Sequence, residues 1–337
     1  MTNTETVCAV VVTYNRKNLL IECLEALQMQ TRPLESIYLV DNASTDKTPE
    51  LLFEKKYIQE LPPEEMNEPW EKEFKITNLN DGKAIRFHYV RMNENTGGAG
   101  GFHEGVKRAF EKGYDWLWLM DDDAEPKKDA LEALLNFIDK KQLTPVVVAS
   151  KTVGLSNKIQ TLHRGYFDVD NLRQVHFDDE IYTKEFTEIG FASFVGPLFS
   201  KKVIEKIGFP NKDFFIWFDD VEYSIRANKY GKMYMVNNST IVHKDGSENV
   251  EIKYLPIEQY WKNFYGIRNR IYILKKYFFI SNGRIVLFIC FKAIIKILLF
   301  EPQKIKRIKV ALRACKDGIK MKLGKTLDLK EWYKSIK

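Results

Sequence analysis

The chain has 337 residues, of which 45% are hydrophobic and 13% aromatic, and carries a net charge of +6. That suffices for one large domain, or one plus an appendage, with a sizeable core, and the four cysteines (Cys8, Cys23, Cys290, Cys315) lack the spacing of a disulfide framework or a metal knot. The charge is uneven: residues 251–337 hold 21 Lys+Arg and 6 Asp+Glu, against 31 and 40 before them. An acidic body with a basic tail suits an anionic surface, and the basic tail lacks a nucleic-acid motif.

Residues 1–6 are polar and do not resemble a signal peptide, so a cytoplasmic protein is expected. Residues 6–13 are apolar and β-branched, the pattern of a buried strand. Residues 18–30 have helical spacing, with Leu20, Cys23, Leu24 and Leu27 on one face. A second strand spans 36–40 and ends in Asp41-Asn42, and a helix is expected over 45–60. Residues 61–82 are polar and read as a surface insertion. A strand at 85–90, a helix at 105–112 and a strand at 114–120 complete a βαβαβαβ order. This order predicts a doubly wound, mostly parallel α/β sheet. Beyond it come a helix (128–140), a strand (146–150), irregular strands and loops (154–188), strands at 189–199 and 232–243, and helices at 201–207 and 220–230. From residue 256 the pattern is helical and basic. The expected division is a catalytic domain over 1–250 and a basic helical region over 251–337.

Five segments carry chemistry. The strand at 114–120 ends in Asp121-Asp122-Asp123, at the edge where open α/β sheets bind ligands. Clustered carboxylates repel unless a cation neutralises them, and oxygen ligands suit Mg²⁺ or Mn²⁺; the alternative is a solvated acidic turn. Thr13-Tyr14-Asn15-Arg16 follows the first strand and can hold a base or ribose. Asp41, ending the second, can accept from a uracil N–H, while Ser44, Thr45 or Asp46 can cap a helix. Asn95, Gly97, Gly98, Gly100 and Gly101 let backbone approach a diphosphate or sugar ahead of a helix N-terminus. In 214–223 aromatics shield Asp219 and Asp220, and a shielded carboxylate can act as a general base. His243 ends a later strand.

The order Thr-Tyr-Asn-Arg, Asp-Asn-x-Ser-x-Asp, Asn-x-Gly-Gly-x-Gly-Gly-Phe, Met-Asp-Asp-Asp, Asp-Asp-x-Glu-Tyr-x-x-Arg and a later His resembles family 2 glycosyltransferases of the GT-A fold. The Gly-rich segment, residues 120–123 and residues 217–226 are most similar to the galactofuranosyltransferase-like branch, and Ile267-Arg268-Asn269-Arg270 resembles the segment after its core. The resemblance spans roughly residues 6–275. It implies that Thr13, Tyr14, Arg16 and Asp41 line the nucleotide, and that Asn95 and residues 97–101 lie along the diphosphate and sugar. Asp121, Asp123 and His243 would face Mn²⁺ or Mg²⁺, with Asp122 turned away or towards the sugar. Asp220 would be the catalytic base and Asp219 its neighbour. Phe218 stands where that branch tends to have Trp, and the first expected strand of the fold already lies at residues 6–13, ahead of which mycobacterial relatives carry an added N-terminal β-domain.

The implied reaction is inverting transfer of a sugar, foremost galactofuranose from UDP-galactofuranose, to a polyprenyl-linked or polysaccharide acceptor in bacterial cell-surface glycan synthesis. The alternatives are rhamnosyl transfer from dTDP-rhamnose, a nucleotidyltransferase, and an inert carbohydrate-binding relative. Residues 285–300 are apolar but interrupted by Lys292 and Lys296, and fall short of the roughly 20 residues a span needs. With Lys304, Lys306, Arg307 and Lys309 after them, an interfacial helix on the inner face of an anionic plasma membrane is expected, against a transmembrane span or a homo-oligomer contact.

Overall fold

The computed structural model describes residues 5–140, 143–244 and 254–327, with Trp332 and Lys334. The expected division at 250/251 lies outside the described residues. In chain order the elements are β1 (Val7–Thr13), α1 (Lys17–Gln28), β2 (Ser36–Asp41), α2 (Thr48–Glu54), β3 (Trp70–Thr77), β4 (Ala84–Arg91), α3 (Gly97–Lys112), β5 (Trp116–Asp121), β6 (Ala124–Pro126), α4 (Ala130–Lys140) and β7 (Val147–Val153). Then come β8 (Arg164–Asp168), β9 (Arg173–His176), β10 (Phe186–Ile189), β11 (Phe191–Ala192), β12 (Pro197–Ser200), α5 (Lys201–Ile207), α6 (Asp219–Ala227) and β13 (Met233–His243). The last helices are α7 (Trp261–Phe278), α8 (Asn282–Ile285), α9 (Lys292–Phe300) and α10 (Lys304–Ile319), with a π-helical stretch, Val286–Phe291, joining α8 to α9.

The main sheet runs β10-β13-β7-β12-β5-β1-β2-β4-β3, with β6 beside β13. Its centre is parallel, as the βα alternation predicts: β5, β1, β2 and β4 run together. β12 enters antiparallel between β5 and β7, and β3 closes one edge antiparallel to β4. All seven residues of β1 are buried because helices cover both faces. Val7, Ala9 and Val11 face the α1 and α4 side. Cys8, Val10 and Val12 face the α3 side. The parallel register aligns Thr13 with Asp41, Asp41 with Arg91, and Val12 with Asp121, so the four strands deliver polar ends to one edge.

Some expectations change. Within 61–82 an edge strand forms, because Phe74 and Ile76 alternate inward while their neighbours stay polar. The helix expected at 105 begins at Gly97, so the glycines are its first turns. The helix expected over 45–60 shortens to Thr48–Glu54. The strand expected over 189–199 breaks into β11 and β12 around Gly196, whose φ is +83°. β11 joins β8 and β9 in a small second sheet.

The basic tail is a helical hairpin, α7 against α10, whose buried side chains reach into the body. Ile273 packs with Ala99, Phe214 and Val221. Arg307 is buried, bonded to Glu301 at 2.9 Å and stacked 4.3 Å from the Tyr260 ring, so it is not part of the exposed basic run. Among the described residues no helix is long and apolar enough to cross a membrane.

Candidate functional site

β5 delivers the acidic triplet to the carboxyl edge, and the three carboxylates part there. Asp122 is buried, accepting from Thr13 Oγ1 at 2.7 Å and the Tyr14 N–H at 3.4 Å. It therefore ties the end of β1 to β5. Asp123 is also buried; its Oδ1 lies 3.3 Å from His243 Nε2, and Arg16 bonds its other oxygen while reaching Asp122 at 3.3 Å. Burial, then the Asp123 charge, pushes Asp121 up to about 7, and burial raises Asp122 to about 6 against the pull of Arg16. Burial opposes ionisation of Asp123 too, yet His243 and Arg16 hold it below the ordinary carboxylate value.

The donor set suits a divalent cation. Gln160 Oε1 sits 3.0 Å from His243 Nδ1, which assigns the ring proton to Nδ1 and aims Nε2 at Asp123. Asp123 Oδ1 is buried without a hydrogen-bond partner of good geometry. A carboxylate oxygen facing an imidazole nitrogen is a donor pair of the kind that Mg²⁺ or Mn²⁺ accepts. Among the described residues no three such side chains already converge as a formed cluster. Asp123 with His243 is the assembled part.

The nucleotide side is held by internal bonds. Asp41 is fully buried: Tyr89 Oη and Arg91 donate to its Oδ2 at 2.8 and 2.6 Å, and the Ser44 N–H to Oδ1 at 2.8 Å. It thereby fixes Arg91 and the 41–45 loop. Asn42 spans to the Gly-rich segment, donating to the Gly97 carbonyl at 2.8 Å and accepting from the Thr96 N–H at 3.0 Å. Asn95 Oδ1 accepts from the Gly97 N–H at 2.8 Å. Tyr14 is exposed.

The glycines divide. A Cβ on Gly101 would strike Val12, one on Gly100 the Thr96 side chain, and one on Gly97, whose φ is +75°, the Phe215 carbonyl. Gly101 and Gly97 let α3 seat against β1 and the 214–218 loop, while Gly100 makes room for the Thr96 side chain at the start of its own helix. Gly98 alone of the four candidates faces open space.

That loop carries the second carboxylate pair. Phe215, Trp217 and Phe218 hold φ of 66°, 63° and 68°, a left-handed region costly for bulky residues. Asn269 on α7 donates its side-chain amide to the carbonyls of Phe214, Ile216 and Trp217, and Arg268 donates to those of Asp213 and Phe214. The strained turn sets Asp219 and Asp220 at the start of α6. Burial, then the Asp220 charge, raises Asp219 well above the carboxylate range, and the Asp121 charge adds to the effect. Asp220 is less buried than Asp219; burial raises it to about 6, with the Val221 N–H and the charge of Arg164 pulling it down. Glu222 and Arg226 brace α6 instead: they pair at 2.9 Å, and Arg226 holds the Phe209 carbonyl.

The structure thus brings Thr13, Arg16, Asp121, Asp122, Asp123, His243, Asp219 and Asp220 to one edge. It adds Arg91, Gln160, Arg164 and Asn269. Arg91 was readable as the end of β4 beside Asp41. Asn269 lay in a recognised run, but its partners stand more than fifty residues away.

The family model described as Glycosyl transferase family 2 matches residues 8–208. A galactofuranosyltransferase, GlfT1 of Mycobacterium tuberculosis, is 30% identical over 290 residues, covering 81% of this chain and 83% of that one. A dTDP-rhamnosyl transferase, RfbF of Shigella flexneri, is 24% identical, covering 70% and 79%. Among solved structures, GalNAc-T7 with UDP, GalNAc and Mn²⁺ superposes with a TM-score of 0.56 at 13% identity, over 95% of this chain and 57% of that one. TarS of S. aureus (residues 1–349) with UDP-GlcNAc gives 0.52 at 14%, over 93% and 81%.

Proposed function

The chain belongs to glycosyl transferase family 2 and has the GT-A fold, and from that premise we propose that it is an inverting transferase taking its sugar from a UDP donor. The observation that supports this reading is the facing of Asp123 and His243 at the end of β5, on the edge where Thr13 and Arg16 meet the acidic triplet, with the Asp121 charge also felt at Asp219. The preferred donor is UDP-galactofuranose, favoured by the mycobacterial relative; the Shigella relative keeps dTDP-rhamnose as the second reading. The acceptor is a hydroxyl of a lipid-linked or polysaccharide glycan.

Asp123, His243 and Asp121 would hold Mn²⁺ or Mg²⁺, which supplies neutralisation of the charge on a departing diphosphate. Thr13, Tyr14, Arg16 and Asp41 would form the nucleotide side, Asp41 by holding Arg91 and the 41–45 loop. Gly98 and Asn95 would lie beside the diphosphate and sugar. Asp220 takes the proton of the acceptor hydroxyl as that oxygen bonds to the anomeric carbon and the carbon–phosphate-oxygen bond breaks, inverting the centre. Its raised pKa suits a base working near neutrality. Asp219, more buried and beside it, is biased towards its neutral form, in which it would donate to the sugar.

Exposed Leu287, Phe291, Leu298 and Phe300 with nearby lysines suit peripheral seating on an anionic membrane at the cytoplasmic face. The deciding test is turnover of UDP-galactofuranose and dTDP-rhamnose with Mn²⁺ and with EDTA. Release of UDP restored by metal supports the reading. Turnover indifferent to EDTA removes the metal, and turnover of dTDP-rhamnose alone removes the preferred donor.

A further inference from the structure

His243 is held by more than its own strand. β7 ends at Val153, and the chain turns back through residues 154–159, where the Gly154 N–H donates to the Lys158 carbonyl at 2.9 Å. The Gln160 N–H then returns to the Thr152 carbonyl at 2.9 Å. That turn sets the Gln160 side chain between two imidazoles. Its Oε1 lies 3.0 Å from His243 Nδ1 and 3.1 Å from His163 Nε2, and its Nε2 lies 3.4 Å from the His243 carbonyl. A carbonyl only accepts, so the amide nitrogen faces it and the amide oxygen faces both rings. Each of those ring nitrogens must then carry a proton, and the two lone pairs of the amide oxygen serve both.

His163 continues the chain. Its Nδ1 lies 2.7 Å from Ser193 Oγ, and Arg164 Nη1 reaches the same hydroxyl at 3.5 Å. Arg164 can only donate, so the Ser193 proton points at His163 Nδ1. Backbone bonds lock this pair: the His163 carbonyl accepts from the Ser193 N–H at 3.0 Å and from Arg164 at 2.8 Å. The His163 and His243 rings meet edge to face at 4.7 Å. The chain Ser193–His163–Gln160–His243 therefore has one consistent direction and gives the two histidines opposite tautomers. His243 keeps a lone pair on Nε2, 3.3 Å from Asp123 Oδ1, an oxygen that accepts no hydrogen bond.

We propose that Gln160 and His163 are positioning residues that fix His243 in the one tautomer able to ligate a divalent cation through Nε2 beside Asp123. Neither residue touches the cation. The use of this tautomer rests on the metal reading of Asp123 and His243; the tautomer itself does not.

The experiment uses the full chain carrying nitrogen-15 histidine, without metal at about pH 8.5, where neutral imidazole dominates. The five histidines are assigned by single substitutions. Long-range proton–nitrogen spectra should show His243 protonated on Nδ1 and His163 protonated on Nε2. His163→Phe keeps a ring in place but removes the donor, and His163→Gln returns an N–H near the position of Nε2. Gln160→Leu removes the shared acceptor. Mn²⁺ affinity with UDP present, read by paramagnetic resonance, should fall about 10–100-fold in His163→Phe and Gln160→Leu. His163→Gln should recover most of that loss. In the first two variants the single His243 tautomer should become a mixture, with melting curves confirming that each is folded. A proton on His243 Nε2 in the wild type overturns the proposal. So does an unchanged His243 tautomer in either folded variant, or an equal loss of Mn²⁺ in His163→Phe and His163→Gln, which marks a merely structural role. If the wild type binds no Mn²⁺ while the opposite tautomers appear and mix in the variants, the metal reading fails and the positioning stands. Mn²⁺ binding with an unaltered tautomer in both variants removes only the positioning.

Discussion

The side-chain amide of Asn269 donates to the Trp217 carbonyl at 2.8 Å. The same nitrogen lies 3.0 Å from the carbonyls of Phe214 and Ile216, so two protons serve three acceptors across a turn with three left-handed aromatic residues. Without that clamp the turn has an easy route to relax, and the Asp pair moves with it. Asn269→Ala should lower stability by about 1–3 kcal/mol, the range for buried carbonyls left unpaired. It should also lower kcat by at least an order of magnitude while UDP affinity holds, because misplacing a base harms the chemical step more than donor binding. Calorimetric UDP binding alongside kcat makes the check. Equal losses in both would make Asn269 a general structural residue.

Asp220 sits where burial works against its charge, and the sign of the consequence is fixed. Its folded pKa, raised to about 6, exceeds the ordinary carboxylate value, so the stability it contributes is full at low pH and is lost as pH rises through about 6. Asp220→Asn should therefore stabilise the protein at pH 8 by about 1–3 kcal/mol and leave it unchanged near pH 4. Transfer should fall by about 10²–10⁴-fold. In the wild type, kcat/KM should drop about tenfold per pH unit below pH 6, the slope for loss of one ionised base. Thermal melts at the two pH values and a rate profile from pH 5 to 8 test this. A variant that melts lower at pH 8 contradicts the burial argument.

Gly97 and Gly98 are adjacent and should respond oppositely. Gly97 combines a positive φ with the Phe215 carbonyl against it, so Gly97→Ala meets both backbone strain and a clash with the 214–218 loop. Soluble yield or melting temperature should fall markedly. Gly98→Ala meets no atom within 4 Å and needs no left-handed backbone, so the fold should tolerate it. If Gly98 lines the donor, the added methyl should raise the KM for the UDP-sugar with little change in melting temperature. An unchanged KM would leave α3 without a donor contact at that position.

The sequence made some of this legible for a physical reason. Buried parallel strands are continuous apolar runs, so β1, β2 and β5 and their polar ends at Thr13, Asp41 and Asp121 stood out. The glycine run was equally visible, but a string of glycines does not say whether backbone approaches a ligand or another helix face; Gly97, Gly100 and Gly101 meet protein and Gly98 alone meets space. β3 hid because it is an edge strand with only Phe74 and Ile76 turned inward. The Asn269 clamp and the Gln160–His243 bond join distant segments, and no local pattern encodes a partner fifty or eighty residues away. Arg307 hid in plain view, because one buried arginine among exposed lysines looks like a continuous charged surface.

That arginine gives the last prediction. Lys304, Lys306 and Lys309 are exposed, whereas Arg307 is buried with its guanidinium on Glu301 and the Leu255 carbonyl. Removing one partner of a buried ion pair leaves the other charge uncompensated, at a cost of about 3–5 kcal/mol. Arg307→Gln should thus destabilise α10 against α7 and lower the urea midpoint. The triple change Lys304→Gln, Lys306→Gln, Lys309→Gln should leave that midpoint nearly unmoved. If the exposed lysines face an anionic bilayer, it should weaken binding to phosphatidylserine vesicles by about 10²-fold at low salt, at about 1 kcal/mol per lysine. The two effects separate cleanly: one variant loses stability through a buried pair where α9 turns into α10, the other loses only a surface field. Unaltered vesicle binding in the triple variant would place the membrane contact, if there is one, on the apolar face of α9 alone.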